Sequence, residues 1–334
     1  MAKTTITSAD VATRAEVSQS AVSRTCTVGA SISADTKQRV LKAANELGYR
    51  PNALARSLIS GKSGIIGVLV AYLDNQFYPV VLEQLSRALQ AEGYHTLLFM
   101  TDPGDQDAVV QQILQYQVEG VVMASASLSS SLAKECADIG IPVVLFNRYA
   151  AASPASSVTS DNIEGGRLLG QFLADGGHER ISFIAGFEDS STSRDREAGF
   201  YRGLAERGMA CHSRAVGGYT SEGAARAVKE LFSDKTVPDA IFVANDHMAF
   251  SVMDVLRNEL GLRIPEDVSV VGYDDVPQAA WGAYQLTSVE QPAAKMIEAT
   301  ASILLEQIEN EVVKKKAAVL PARLIVRKSA RIPT

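Results

Sequence analysis

The sequence predicts an α/β fold class, in which a short all-α head precedes a body of two lobes, each built on a doubly wound parallel sheet. Up to about residue 60, apolar residues recur at helical spacing and no strand-like run occurs. From Gly64 onward, continuous Val/Ile/Leu runs alternate with amphipathic stretches, which is typical of βαβ units whose strands are buried on both faces. The chain has 334 residues, which suits two or three domains.

The first 60 or so residues are predicted to form three short helices, with capping residues at several of the helix ends. Thr7 and Asp10 have the spacing of a capping box, and Ser18 is placed to cap a second helix. Ser33 precedes a longer helical stretch, and Gly48 follows it where glycine commonly ends a helix. The next segment, 53–64, favours helix but closes after about two turns, so we expect it to fold only when something packs against it.

The body contains at least seven strand-like runs separated by helical segments. They are "GIIGVLV", "YHTLLFM", "EGVVMAS", "IPVVLFN", "ISFIAG", "AIFVAN" and "VSVVGYD". This is more than one mononucleotide-type half requires, and the polar stretch at 149–157 lies about midway along the series. The pattern therefore predicts two similar α/β lobes.

Charge is unevenly distributed between head and body. The whole chain has a formal charge of −6, but residues 1–60 contain eight Lys/Arg against four Asp/Glu, so the head carries +4 and the remainder −10. A basic head on an acidic body is expected when only the head contacts phosphate groups.

Several classes of protein are disfavoured by the sequence. No run of about 18 apolar residues predicts a membrane-spanning helix, and the start, "MAKTTITSAD", lacks the apolar core of a secretory signal, so we expect a cytoplasmic protein with no membrane partner. Cys26, Cys136 and Cys211 are odd in number and far apart, which favours reduced thiols over disulfides or a metal site.

The sequence gives little support for an enzyme. The glycine-rich loops that bind dinucleotides or nucleoside triphosphates are absent, as is the G-x-S-x-G nucleophile elbow. The four histidines lack metal-ligand spacing. Asp274 and Asp275 are adjacent, and neighbouring residues of an extended strand point to opposite faces, so they are not expected to form a dyad. We predict no enzyme activity, no catalytic residues, no metal and no cofactor.

Polar and aromatic residues follow several predicted strands at their carboxyl ends, where open parallel sheets bind ligands. Amides, carboxylates, an arginine (Arg148, which follows "PVVLFN") and aromatic rings suit a polyhydroxylated ligand. The alternative is that Asn and Asp at these positions only cap the following helices. The residues that we assign to a ligand site on this reasoning are Asn75, Phe77, Tyr78, Asn147, Asp161, Asn245 and Asp274.

The chain resembles the lactose-repressor/galactose-repressor family of bacterial transcription regulators over nearly its whole length. The matching stretches include "DVATRAEVSQSAVSR", "RVLKAANELGYRPNALARSL", "VANDHMAFSVMDVL" and "IPEDVSVVGYDD". The resemblance implies a helix-turn-helix head at 1–50, a hinge helix and linker at 51–63, and a periplasmic-binding-protein-like body at 64–334. It places the N-lobe at about 64–161 and 292–320, and the C-lobe at about 162–291 and 321–334.

The resemblance also implies DNA contacts. Gln19 and Ser20 match the positions that read base edges in the major groove, with Arg24 one turn further on. Leu58 matches the hinge leucine that wedges into the minor groove, and Ala55 lies close to the partner hinge. The remaining residues assigned to DNA binding are Thr7, Ser18, Ser23 and Asn52.

In the body, the resemblance assigns effector contacts to Arg196, Asn245 and Asp274 and an aromatic cover to Tyr219. Phe77 and Tyr78 match the corresponding aromatic position in the first lobe, and Trp281 is placed at the rim of the site.

These readings predict a repressor of a catabolic operon that binds a pseudo-palindromic operator in double-stranded DNA as a homodimer, since one helix-turn-helix monomer reads only a few base pairs. A small-molecule effector between the lobes would control operator affinity, with a sugar or sugar acid as first choice and a nucleoside or purine as second. A ligand-dependent activator or co-repressor-type regulator remains an alternative. A solute-binding protein is disfavoured because it needs an export signal and no basic head.

Overall fold

The structure is a computed structural model that describes residues 6–25, 30–50, 62–101, 105–124, 129–233 and 235–333. The chain divides into two compact units, 1–63 and 64–334. We call the first the head and the second the body.

The head consists of short helices around a small apolar core, as the sequence predicts. Its helices are α1 (Ser8–Ala15), α2 (Gln19–Thr25) and α3 (Ala34–Leu47). Thr7 and Asp10 form the predicted capping box, and Gly48 ends α3 in the left-handed conformation, with φ 66°. The core comprises Val11, Ala12, Ala15, Val22, Val40 and Ala43.

The body contains two sheets of the same kind, which confirms the predicted α/β fold class. The N-lobe sheet has the strand order β11-β5-β4-β3-β1-β2, with β1 (Ile65–Val70), β2 (His95–Met100), β3 (Gly120–Ala124), β4 (Val143–Phe146), β5 (Ser156–Ser160) and β11 (Ala317–Leu320). The C-lobe sheet has the order β12-β10-β9-β8-β6-β7, with β6 (Ile181–Ala185), β7 (Arg214–Val216), β8 (Ala240–Val243), β9 (Ser269–Asp274), β10 (Thr287–Glu290) and β12 (Arg323–Ile325). Neighbouring strands pair in parallel except β10 with β12.

Helices cover the two sheets. They are α4 (Phe77–Ala91), α5 (Gln106–Leu114), α6 (Ser130–Asp138), α7 (Asn162–Asp175), α8 (Ser191–Ala205), α9 (Ser221–Leu231), α10 (Asp246–Asn258) and α11 (Ala293–Glu309). In the described part of the chain, no helix has the length and apolar character needed to cross a bilayer.

The chain passes between the lobes after β5, after β10 and after β11, since these strands are each followed by one in the other sheet. Lobes joined by several short crossovers are suited to hinge motion about a ligand.

Helices α7 and α8 of the C-lobe pack closely against each other. Gly166 and Gly199 make this packing possible, because a Cβ on Gly199 would collide with the carbonyl oxygen of Ile163 and one on Gly166 with that of Arg196. The two backbones are therefore in direct contact, and Arg196 on α8 is held at a fixed position beside α7.

Candidate functional site

The exposed start of α2 carries most of the head residues assigned to DNA. Ser18, Gln19 and Ser20 are exposed, and Arg24 is exposed one turn further on. The Gln19 amide donates to Ser8 Oγ at 2.8 Å, and the hydroxyls of Ser18 and Ser20 lie 2.8 Å apart. Ser18 Oγ also accepts from the Ala21 amide at 3.3 Å, so it caps α2 as the sequence predicts.

The other assigned head residues have different positions. Thr7 is the N-cap of α1 and accepts from the Asp10 amide, and Ser23 is exposed on α2. Asn52, Ala55 and Leu58 lie outside the described residues, together with most of the hinge segment.

A cavity of about 290 Å³ opens where the carboxyl ends of strands from both lobes meet. N-lobe residues after β1 and β4 form one wall, and C-lobe residues after β6 and β7 form the other. This is the edge at which parallel sheets bind ligands. The lining residues are Ala71, Tyr72, Asp74, Gln106, Leu145, Arg148, Tyr149, Phe187, Asp189, Ser190, Ser191, Gly218, Tyr219 and Thr220.

Arg148 is the buried cation of this cavity and connects the two lobes. Its side chain is 7% exposed. Nη1 donates to the carbonyl oxygen of Asn147 at 2.7 Å and to Oγ1 of Thr192, at the start of α8, at 2.6 Å. The guanidinium lies 5.7 Å from the ring centroid of Tyr219, and Tyr72 is a further hydrogen-bond partner.

Tyrosines surround this guanidinium. The rings of Tyr72 and Tyr78 are 5.4 Å apart at 87°, and Asn147 Nδ2 donates to Tyr78 Oη at 3.4 Å. Burial raises the pKa of Tyr72 well above its ordinary value, and the pKa of Tyr78 is raised for the same reason. The phenols are therefore neutral at physiological pH and give the cavity flat faces with hydroxyl groups.

In a second buried guanidinium, that of Arg196, each of the three nitrogens donates to a protein acceptor. Nε donates to Asn162 Oδ1 at 2.8 Å, Nη1 to the carbonyl of Ala244 at 2.6 Å, and Nη2 to Asp274 Oδ1 at 3.3 Å. Its Cζ lies 3.7 Å from the ring centroid of Tyr273. We call this set of contacts the Arg196 network, and it joins α7, α8, β8 and β9 within the C-lobe.

Asp274 extends the Arg196 network into the N-lobe. Gln291 Nε2 donates to Asp274 Oδ1 at 2.7 Å, and Gln291 Oε1 accepts from Ser160 Oγ at 3.0 Å. Asn75 is a further side-chain hydrogen-bond partner of Asp274. Burial raises the pKa of Asp274, whereas Arg196 lowers it. Asp275 faces elsewhere and accepts from Arg327 Nη1 at 2.6 Å, so the two carboxylates do not converge.

The structure divides the residues assigned to the effector into several groups. Tyr219 lines the cavity, and Tyr78 and Asn147 lie directly behind its wall. Asn75 caps the turn before α4 by accepting from the Phe77 amide at 3.0 Å, and it shares Asp274 with Arg196.

The remaining assigned residues do not line this cavity. Phe77 is buried and stacks on Phe146 in the N-lobe core. Asp161 and Asn245 cap α7 and α10, which is the capping alternative that the sequence left open. Trp281 is 56% exposed on the surface.

The site assigned from the sequence leaves out residues that the fold brings to the cavity, chiefly Tyr72, Arg148, Phe187 and Ser191, although Arg148 is noted at a strand end. Tyr72 and Arg148 each follow a predicted strand, which is the same feature by which their neighbours are assigned. Among the described residues, no cluster of three or more His, Cys, Asp or Glu side chains is arranged to bind a metal ion.

Comparison with known proteins places these features in a family. The family described as "Bacterial regulatory proteins, lacI family" matches residues 7–52, and the "Periplasmic binding protein-like domain" matches 171–330. The HTH-type transcriptional repressor PurR of Vibrio vulnificus (strain CMCP6) is 30% identical over 96% of this chain and 98% of that protein.

Two solved structures are also similar. The lac repressor dimer bound to operator and the anti-inducer ONPF has a TM-score of 0.87 at 27% identity, covering 97% of this chain and 99% of that one. The complex of transcriptional regulator CelR with cellobiose has a TM-score of 0.72 at 30% identity, with the same coverage. Because the similarity extends over nearly the whole chain, the protein belongs to the lacI family of bacterial regulatory proteins, whose members are transcription regulators rather than enzymes.

Proposed function

We propose that this protein is a cytoplasmic repressor of a catabolic operon, which binds a pseudo-palindromic operator as a homodimer. A small polar ligand in the cavity between the lobes controls operator affinity. A sugar or sugar acid is our first choice of ligand, and a nucleoside is the second. The observation that carries the proposal is the cavity itself, because its two walls belong to different lobes.

A ligand that contacts both walls favours the closed arrangement of the lobes. Arg148 and Tyr72 stand on the N-lobe side, and Ser191, Tyr219 and Thr220 stand on the C-lobe side. A ligand shifts a conformational equilibrium only through its different affinity for the two states, and groups from both lobes supply that difference. Allosteric coupling of about 1 to 3 kcal/mol is typical and would change operator affinity roughly 5- to 150-fold.

The chemistry of the cavity supports a sugar. Tyrosine rings cover the apolar faces of a pyranose, while hydroxyl, amide and guanidinium groups bind its oxygens. The similar CelR structure contains cellobiose, which supports the same ligand class.

The head supports the DNA-binding half of the proposal. Gln19 and Ser20 are exposed at the start of α2, and a glutamine there can read an adenine edge with two hydrogen bonds. Binding to DNA phosphates is salt-dependent, so operator affinity must be compared at fixed ionic strength.

A selection experiment tests the head assignment. The full-length protein selects operator sequences from a random pool, and Gln19→Ala is compared with Gln38→Ala, which removes an exposed glutamine from α3. We expect Gln19→Ala to relax the preferred base at one position of each half-site by about 1 to 3 kcal/mol. Identical selected sequences for wild type and Gln19→Ala would remove Gln19 from base readout.

The effector is tested by a thermal-shift screen of monosaccharides, sugar acids and nucleosides, followed by operator titration with each ligand that binds. The direction of the affinity change separates an inducible repressor from a co-repressor-type regulator. A ligand that binds with unchanged operator affinity would contradict the proposed control.

A further inference from the structure

Arg148 is a buried guanidinium that has no carboxylate partner among the residues that the structure describes. In the described chain it forms no ion pair within 4.0 Å, and its protein hydrogen bonds go to a backbone carbonyl and to the side chains of Thr192 and Tyr72. These acceptors are neutral. Burial of a charge is unfavourable unless the charge is paired, so the fold keeps this side chain in place at a cost in stability.

The nearby carboxylates are engaged elsewhere. Asp274 pairs with Arg196 at 3.3 Å, and its electrostatic interaction with Arg148 is weaker than that with Arg196 and involves no ion pair within 4.0 Å. Asp74 has a side chain that is 63% exposed and lies 3.6 Å from His247 Nε2 across the cleft, and Asp189 is exposed on the C-lobe rim. Because water screens charges at the rim, Asp74 and Asp189 do not neutralise a guanidinium buried deeper in the cavity.

The geometry of Arg148 suits a planar or tetrahedral anion. Both hydrogen bonds of Nη1 are made to protein atoms of opposite lobes, which orients the guanidinium plane. The N–H groups of an arginine fork, such as those on Nε and Nη2, can bind the two oxygens of a carboxylate or a phosphate in parallel.

We propose that the effector carries an anionic group, a carboxylate or a phosphate ester, that binds the guanidinium of Arg148. This inference rests on the proposed effector function of the cavity and narrows the ligand class from sugars in general, neutral or acidic, to sugar acids or sugar phosphates. Since Arg148 contacts Thr192 of the C-lobe, an anion held there lies at the junction of the two lobes.

Matched ligand pairs test the proposal. Thermal shifts of the full chain are measured with D-glucuronate and D-glucose 6-phosphate against D-glucose, with D-galacturonate against D-galactose, and with inorganic phosphate, at ionic strength fixed with chloride. The variants are Arg148→Gln, Arg148→Lys and the control Arg226→Gln, which removes an exposed cation from α9 outside the cavity lining.

We expect inorganic phosphate and at least one anionic sugar to stabilise the protein saturably. The matched neutral sugar should give a smaller thermal shift than its anionic derivative. Arg148→Gln should weaken anion binding about 10- to 100-fold, since charge-assisted hydrogen bonds are lost, while Arg226→Gln binds as wild type. Arg148→Lys should restore part of the affinity, because the charge returns without the planar fork. Carboxylate and phosphate sources are separated by which sugar derivative binds more tightly.

Three results would overturn the inference: anions bind Arg148→Gln as tightly as wild type, neutral sugars bind as tightly as their acids, or no anion stabilises the protein beyond chloride. Phe187→Glu separates this failure from that of the proposed function, because Phe187 lines the cavity without contributing charge. If a neutral ligand binds the wild type and loses affinity in Phe187→Glu, the cavity is still the effector site and only the anionic group of the proposal is wrong. Ligand binding unchanged in Phe187→Glu would overturn the proposed function.

Discussion

The two buried arginines of the body differ in what surrounds them. Arg196 is 2% exposed and each of its nitrogens donates to a protein acceptor, one of them the carboxylate of Asp274. Arg148 is 7% exposed, lines the cavity and has no carboxylate partner among the described residues. A charge that the protein has neutralised stabilises one arrangement of the fold, whereas a charge left without a partner is available to a ligand.

This difference changes how the family resemblance is applied. The resemblance assigns a ligand contact to Arg196, and that assignment stays a prediction, because in this structure Arg196 donates to Asn162, Ala244 and Asp274. These three bonds use three of the five N–H groups of the guanidinium. The comparison therefore sets the predicted ligand contact of Arg196 against the proposed ligand contact of Arg148, and variants at both sites can break or sharpen it.

Removing Asp274 should have the largest effect. Asp274→Ala leaves the Arg196 guanidinium buried without a counter-charge, and breaking a buried pair in this way costs about 3 to 5 kcal/mol. Chemical denaturation of the full chain, followed by circular dichroism, measures the loss. The control is Asp175→Ala, which breaks the surface pair with Arg207 at 2.7 Å and should cost less than about 1 kcal/mol. Equal losses for the two variants would show that the Arg196 network contributes no special stability.

Asp246 lies beside this network and provides a pH-dependent test. Its Oδ2 accepts from the Val276 amide at 3.0 Å, and its Oδ1 is 2.6 Å from Ser288 Oγ. Burial raises the pKa of Asp246 well above its ordinary value, and repulsion from Asp274 adds to the shift. The folded state therefore holds a proton that the unfolded state loses above about pH 4, so this group makes stability fall as pH rises from there towards the raised pKa.

Asp246→Asn should remove this pH dependence, since the amide resembles the protonated carboxyl. Each unit by which the pKa is raised corresponds to about 1.4 kcal/mol, so the variant should gain on the wild type as pH rises. Unfolding free energies of the two proteins measured between pH 5 and 8 give this difference. Asp254→Asn, on the exposed face of the same helix, is the matched control. A constant difference across this range would mean that Asp246 is ionised in the folded protein.

The sequence predicts the fold well because the signals that define it are local. Strands buried on both faces require continuous apolar runs, and β1, β4 and β9 each lie where such a run occurs. The caps at Thr7 and Gly48 likewise depend on residues within four positions. The lobe arrangement follows from the number and order of these strands.

The candidate site is predicted less completely, because its contacts join distant parts of the chain. Asn147 bonds Tyr78, 69 residues away, and Arg196 pairs with Asp274, 78 residues away. Sequence places these residues at strand ends but does not show which of them bond each other. Whether an arginine is neutralised depends on that pairing, so Arg196 is singled out by motif while Arg148 becomes prominent only in the folded structure.

The smallest effect on stability is expected for Arg148→Met. Comparing it with Arg196→Met, the same substitution at the other buried arginine, tests the comparison most directly. Arg196→Met leaves the buried Asp274 carboxylate without its counter-charge and should destabilise the body by several kcal/mol. Arg148→Met leaves the Asn147 carbonyl and the hydroxyls of Thr192 and Tyr72 without this donor. Water in the cavity can satisfy these groups, so unfolding free energy should change by less than about 1 kcal/mol. Both are measured by the same denaturation series without ligand. A loss at Arg148→Met as large as at Arg196→Met would make Arg148 a structural residue, because its charge would then be compensated by contacts within the protein rather than by a ligand.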